Sequence, residues 1–349
     1  MTHDLGPRTP RAFARVRRGV GRRRLGLALL LTACAGAAPL ASQSGGAEWR
    51  DASPHRSASV QANGINLHYL DWGGTGPALI FLTGMGVTPH IFDELAPRFT
   101  DRFRVLSLTR RGIGESDKPE TGYDTGTLAR DILGFMDALG IRSATLVGWS
   151  LGGTEITRVA AIAPERVDRL VYLDAAYDYG RQPELWAQDP VAVPPTEADL
   201  ASLDAAREWF RRTQGMWSDA VEADARAINL KPDGTVTMEV TTPAINEQLI
   251  QGMVSSRPDF SRIRVPVLAF YAVTGTHPGL LSVTDPDVRQ RGQAYWTNVY
   301  LPYQREQIRN LRAAVPDAWI VEVDAPHLMF IRPQDLERVA GEMQRFLAR

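Results

Sequence analysis

The feature that most constrains the fold of this 349-residue chain is an alternation, from about residue 57 onward, of short continuous apolar runs with amphipathic stretches. Pro77-Ala78-Leu79-Ile80-Phe81-Leu82-Thr83 is such a run, and a run without charged members reads as a strand buried on both faces, the environment of a parallel sheet. Further strands are expected at 103–108, 144–147, 170–173, 266–273 and 319–323. Helices are expected at about 89–98, 125–139, 151–163 and 333–348, with a long helical region before the last strand. Ahead of these, residues 59–61 and 65–71 are joined by Asn63-Gly64, a hairpin signal because both residues accept φ > 0. A hairpin followed by β-α repeats predicts an α/β fold, a mostly parallel central sheet with helices on both faces. The glycine fingerprints of nucleotide binding are absent after the early strands, and no internal repeat is visible.

The first segment does not share this pattern. Residues 1–33 hold eight arginines against Asp4, a surplus of seven positive charges, so the rest of a chain of formal charge −1 carries −8. A body that acidic predicts no nucleic-acid partner, since phosphate contacts need clustered Lys and Arg. After the arginines comes Leu25-Gly26-Leu27-Ala28-Leu29-Leu30-Leu31-Thr32-Ala33 and then small residues, the order of an export signal. The apolar stretch falls well short of the roughly 20 residues that span a bilayer. Leu31-Thr32-Ala33-Cys34 resembles a bacterial lipobox, which implies a lipidated Cys34 and membrane anchoring, in a periplasmic or membrane-bound location. The other reading is cleavage a few positions later, within Ala35-Gly36-Ala37-Ala38. Cys34 is the only cysteine of the chain, so no disulfide framework exists. The expected organisation is a signal over 1–33, a tether over 34–56, a core over 57–176 and 262–349, and an insertion over 177–261.

Gly148-Trp149-Ser150-Leu151-Gly152 lies between an expected strand and an expected helix. In G-x-S-x-G the glycines lack a Cβ where backbones crowd, and the serine can occupy a strained conformation with its Oγ exposed. The helix that starts there offers its positive end and free N–H groups to a developing oxyanion.

With these residues the chain over about 57–349 resembles the α/β-hydrolase superfamily. Thr83-Gly84-Met85-Gly86 stands where that family usually has His-Gly-x, and Arg110-Arg111-Gly112-Ile113-Gly114-Glu115-Ser116-Asp117 looks like its arginine- and glycine-rich loop. The resemblance implies Ser150 as nucleophile, with the backbone N–H groups of Met85 and Leu151 as oxyanion donors. Threonine at 83 leaves a backbone donor in place. Of the six histidines, His3 and His55 fall in the leader and tether, and His68 reads as structural. His90 and His277 are candidates to lie near the pocket. His327 follows the last strand, where the family carries its general base.

The acid departs from the commonest family pattern. The strand after the insertion runs into Val273-Thr274-Gly275-Thr276-His277 without a carboxylate, and the next acids are Asp285 and Asp287. Another branch, including haloalkane dehalogenases and related coelenterazine luciferases, carries its acid one strand earlier, which implies Asp174 here. Asp178 is the second choice, and a strand-end structural role is the bland alternative for Asp174. Ser150 in place of a carboxylate nucleophile excludes alkyl-enzyme dehalogenase and epoxide hydrolase chemistry and implies an acyl-enzyme.

The family makes the insertion at 177–261 a cap. Its helical stretches at 197–215 and 219–228, its hairpin-like 229–236, and its Trp186, Trp209, Phe210, Met216 and Trp217 predict cap packing and an apolar acyl pocket. Residues 279–303, with Tyr295-Trp296, are expected near the entrance. The reading is a serine hydrolase of small-molecule carboxylic esters, with lactones and thioesters as near variants. Two alternatives stand beside it: a cofactor-free perhydrolase or haloperoxidase-like enzyme, since the Trp149-Ser150 elbow resembles some of those proteins, and a non-catalytic ligand-binding protein of this fold. No cofactor is implied. No metal site is expected either, because there are no paired cysteines, no HExxH and only scattered histidines.

Overall fold

The computed structural model describes residues 49–191 and 193–349; the arginine-rich segment and Cys34 lie outside the described residues. The sheet begins with β1 (Arg56–Ala62) and β2 (Ile65–Gly73), antiparallel and paired in register from Arg56 opposite Asp71 to Ala62 opposite Ile65. Two residues close this hairpin, Asn63 at φ 47° and Gly64 at φ 79°, both in the left-handed region a turn of this twist requires. β3 (Ala78–Leu82), β4 (Arg104–Leu108), β5 (Ala144–Trp149), β6 (Val167–Leu173), β7 (Val267–Ala272) and β8 (Trp319–Val323) follow. The eight strands lie in the order β1-β2-β4-β3-β5-β6-β7-β8, parallel from β4 onward.

Every residue of β3, β5 and β7 is buried, because helices cover both faces. Alternate side chains go to opposite sides. Ile80 and Leu82 join Leu146, Tyr172 and Tyr271 in one core, whereas Leu79 and Phe81 join Val147, Val171 and Phe270 in the other. The first core packs on α1 (Thr125–Ala138) and α2 (Leu151–Ile162). Between β6 and β7 come α3 (Gln182–Gln188), α4 (Leu203–Gln214), α5 (Asp219–Asp224) and α6 (Pro243–Ser255). Between β7 and β8 come α7 (Pro286–Tyr295) and α8 (Leu301–Ala314), joined through a π turn over 296–300. The closing α9 (Pro333–Leu347) buries Leu336, Val339, Ala340, Met343, Phe346 and Leu347 in the second core.

Several local expectations change. The helix expected at 89–98 is two 3-10 turns, Pro89–Phe92 and Ala96–Phe99. Pro97 supplies no N–H and its ring clashes with a helical carbonyl four residues back, so one continuous helix cannot form. α4 starts at Leu203, not 197, because the Ser202 hydroxyl accepts from Ala205 N at 3.1 Å and caps the helix there. The hairpin-like stretch at 229–236 does fold back on itself, though only as one antiparallel bridge, Leu230 to Val236, with Lys231 N donating to Thr235 O at 2.8 Å and Thr237 N to Asn229 O at 2.9 Å. Residues 51–55, read as tether, are held by hydrogen bonds: Trp72 Nε1 donates to Ser53 Oγ at 2.9 Å and Ser53 N to Asp51 Oδ1 at 2.9 Å. Among the described residues no helix is long and apolar enough to cross a membrane.

One buried ion pair locks the hairpin to the first helix. Arg111 donates through Nε and Nη2 to the two oxygens of Asp131 at 2.5 and 2.6 Å, and Asn63 Nδ2 donates to Asp131 Oδ1 at 2.7 Å. Removing one member of such a pair leaves an uncompensated charge in the core. Asp131→Asn is expected to lower the unfolding free energy by about 3–5 kcal/mol, read as an earlier midpoint in urea denaturation; an unchanged midpoint would mean that the pair is dispensable.

Candidate active site

Ser150 stands at the turn from β5 into α2 with φ 51° and ψ −121°. A side chain rarely adopts that backbone, and its cost of about 1–3 kcal/mol must be held by the surroundings. The flanking glycines are what allow it. A Cβ on Gly148 would lie 2.6 Å from the Gly152 carbonyl, and one on Gly152 would lie 2.4 Å from Leu82 O, distances no side-chain carbon tolerates.

The loop after β3 is fastened to the same helix. Gly152 N donates to Thr83 O at 3.1 Å. Buried Arg110 donates through Nη1 to Gly84 O at 2.8 Å and through Nη2 to Thr83 O at 2.7 Å, while Nε and Nη2 reach the Glu155 carboxylate of α2 at 2.5 and 3.0 Å. In a trans peptide the C=O and the following N–H point in opposite directions. The grip on Gly84 O therefore turns the Met85 N–H away from Arg110. Leu151 is the first residue of α2, so its N–H has no intrahelical acceptor.

Asp174 follows β6 and has φ 48°; with Asn63 and Ser150 it makes up the described non-glycine residues of positive φ. Its carboxylate is buried. Oδ2 lies 2.6 Å from His327 Nδ1, and Oδ1 accepts from Tyr177 Oη at 2.5 Å and from Ala272 N at 3.0 Å. The end of β7, which carries no acid, thus contributes a backbone N–H to the acid on its neighbour. The His327 ring, after β8, lies against Trp149 at 5.1 Å between centroids with the planes tilted by 38°, and Trp149 Nε1 donates to His327 O at 3.2 Å. Ser150, Asp174, His327 and Met85 all line one cavity of about 330 Å³. Tyr177, Tyr179, Tyr300, Gln182, Trp186 and Met253 complete most of its wall.

Burial, and then the charge of Asp174, push the phenols of Tyr177, Tyr179 and Tyr300 well above their usual range, so they stay neutral donors. The Tyr179 hydroxyl is buried with Ser150 as a polar neighbour and makes no hydrogen bond of good geometry.

The other candidates go elsewhere. Asp178 accepts from Gly180 N at 2.9 Å and from Arg257 Nη1 at 2.9 Å, a turn-capping role. Asp285 caps α7 by accepting from Asp287 N and Val288 N at 2.8 and 3.1 Å. His68 is buried between Ser57 Oγ and Thr109 Oγ1 at 2.8 and 2.7 Å. His277 pairs with Asp189 at 3.1 Å and lines a different cavity. His90 meets Asp51 and Asp93 instead of the pocket; burial disfavours its cation, but hydrogen bonds to those two carboxylates outweigh this and push it up to about 9. Phe210, Met216 and Trp217 pack on the second core, and Trp186 alone of the singled-out insertion aromatics reaches the cavity. Sequence reasoning missed Glu155, Tyr177 and Tyr300. Glu155 was recoverable, since a buried arginine demands a carboxylate and Glu155 is the sole acid of α2.

The model of the alpha/beta hydrolase fold family matches residues 77–269. A 2-(acetamidomethylene)succinate hydrolase of Mesorhizobium japonicum is 40% identical over 101 residues, which is 29% of this chain and 36% of that protein. The 3-oxoadipate enol-lactonase 2 of Acinetobacter baylyi is 26% identical over 232 residues, 66% of this chain and 83% of the relative. The first similarity thus spans little more than a third of that relative's length. A crystal structure of E-2-(acetamidomethylene)succinate hydrolase, 24% identical, superposes over 84% of this chain and 100% of its own with a TM-score of 0.65, a likeness of fold. From the family match and the elbow, strand order and cavity described above, the chain belongs to the α/β-hydrolase-fold family.

Proposed function

We propose that the protein is a serine hydrolase that cleaves carboxylic esters through an acyl-enzyme on Ser150. The observation that carries this reading is the strained Ser150 in one cavity with His327, whose Nδ1 lies 2.6 Å from the Asp174 carboxylate. With the proton on Nδ1 directed at Asp174, Nε2 is left as the basic nitrogen. His327 removes the Ser150 proton, and Oγ attacks the ester carbonyl. The Met85 and Leu151 N–H groups hold the oxyanion, and His327 then protonates the departing alkoxide. Water, deprotonated by His327, releases the acid and restores Ser150. Asp174 orients the imidazole and stabilises its cation without taking the proton.

The cavity also bears on the substrate. Its lining includes no lysine or arginine among the described residues, and the one carboxylate is already engaged. This supports an uncharged acyl group of modest size, in contrast to the succinate in the name of the Mesorhizobium relative. Lactones fall under the same chemistry, and the Acinetobacter relative is named for one. In this reading the segment between β6 and β7 acts as a cap, residues 1–33 direct export, and lipidation of Cys34 anchors the enzyme at a membrane.

A fluorophosphonate probe is expected to label the folded protein at Ser150 and to fail on Ser150→Ala. Folded parent protein that stays unlabelled would overturn the hydrolase reading in favour of a ligand-binding one. Asp174→Asn is expected to lower kcat by about 10³–10⁴, with Asp178→Asn within a few-fold of the parent; the reverse order would move the acid to Asp178. In a panel of nitrophenyl esters, kcat/KM is expected to be highest for short uncharged acyl groups and to drop for long chains and for a succinyl half-ester. A preference for the half-ester would refute the uncharged-substrate assignment.

A further inference from the structure

Away from the cavity, two imidazoles and two carboxylates meet where the chain enters the core. Asp51 and His55 precede β1, and His90 and Asp93 belong to the turn Pro89–Phe92 and the residue after it. One side-chain nitrogen or oxygen of each lies within 4.8 Å of all the others. Asp51 Oδ2 is 2.9 Å from His55 Nε2 and 3.1 Å from His90 Nδ1; the Asp93 oxygens are 3.5 Å from His55 Nε2 and 2.8 Å from His90 Nδ1. Around a four-coordinate zinc with bonds of about 2.0–2.1 Å, neighbouring ligand atoms are separated by about 3.3 Å. With Asp93 Oδ1 toward His55 and Oδ2 toward His90, the four contacts bracket that value.

A second observation points the same way. The Asp93 side chain is 4% exposed, and its Oδ1 has no hydrogen-bond partner. A buried carboxylate oxygen left without a donor is costly, and this one faces the cluster. The surroundings are also built. Ser53 N donates to Asp51 Oδ1 at 2.9 Å, leaving Oδ2 for the imidazoles. Trp72 packs edge-on to the His55 ring at 5.7 Å, and the two imidazoles lie edge to face at 5.0 Å.

From this geometry we infer that Asp51, His55, His90 and Asp93 form a structural site for a divalent transition cation, best matched by Zn²⁺. Two neutral imidazoles and two carboxylates balance the charge of one dication. Nitrogen ligands argue against Ca²⁺ and Mg²⁺, which take oxygen. Four protein ligands close the coordination shell, as in structural zinc sites. The ion would staple residues 51–55 to the segment that leads away from the Met85 loop. Asp224 already holds that segment by accepting from Thr88 N and Oγ1 at 2.7 and 2.6 Å.

The test uses untagged full-length protein, stripped with chelator and titrated calorimetrically with Zn²⁺ alone. One equivalent is expected at about 1 μM affinity or tighter, with a higher Tm in the loaded form. His55→Ala and Asp93→Asn are each expected to weaken binding by more than about 100-fold, and His277→Ala to leave it unchanged. Because a variant can fail to fold, zinc X-ray absorption on the loaded parent gives an independent readout: two imidazole nitrogens and two oxygens are expected. No stoichiometric binding by the parent, binding that survives His55→Ala, or a first shell containing sulfur would each overturn the site. The four residues would then be an ion-pair cluster held by protons on the imidazoles.

Discussion

A single buried guanidinium organises the centre of this molecule. Arg110 donates to Thr83 O, to Gly84 O and to both oxygens of Glu155, so the end of β4, the loop after β3 and the helix after β5 share one charge. Burying an arginine is unfavourable unless its donors are used and its charge is matched, and here both conditions hold. The rigid planar fork of arginine suits this role better than the single point of a lysine. Its consequence for the pocket follows from peptide geometry: with the Gly84 carbonyl held on one side, the Met85 N–H is committed to the other.

Around this fixed centre the backbone carries strain at two points, Ser150 and Asp174, at the ends of the adjacent strands β5 and β6. Each left-handed residue is held by neighbours. At Ser150 the glycines let α2 close onto β3, whereas Asp174 donates from its N–H to Phe270 O at 3.0 Å and takes the Ala272 N–H on its side chain. Ligand sites of open α/β sheets lie outside the carboxyl ends of the strands, and both strained residues sit at that edge. Tyrosines pack around Asp174 as neutral phenols. They exclude water from the carboxylate, which strengthens its interaction with His327.

The entry of the chain into the core follows similar logic with different chemistry. Residues 51–55 are polar and few, with little apolar surface to bury. They are nevertheless held, because Asp51, Ser53 and His55 each find partners on β2 or on the turn after the Met85 loop. Histidines scattered in sequence at 55 and 90 become neighbours only because β2 and that turn pack side by side.

The alternation of apolar runs with amphipathic stretches made the α/β class, the hairpin at Asn63-Gly64, the all-buried β3 and the Ser150 elbow legible from residues alone. These depend on interactions within a few residues: backbone sterics, side-chain period and the absence of a Cβ. His327 and Asp174 were legible only through resemblance, with Asp178 as second choice; the folded chain sets Asp174 beside His327 and turns Asp178 to Gly180 and Arg257. The helix expected at 89–98 is interrupted at residues 93–95, ahead of Pro97, a residue already visible in the sequence. Glu155, the tyrosines of the cavity wall and the cluster of Asp51, His55, His90 and Asp93 were decided by tertiary structure. Glu155 meets Arg110 from 45 residues away, Tyr300 reaches the cavity of Asp174 from another element, and the pairs Asp51/His55 and His90/Asp93 meet only in the fold; contacts at that separation are set by how helices and strands pack, which no local pattern encodes.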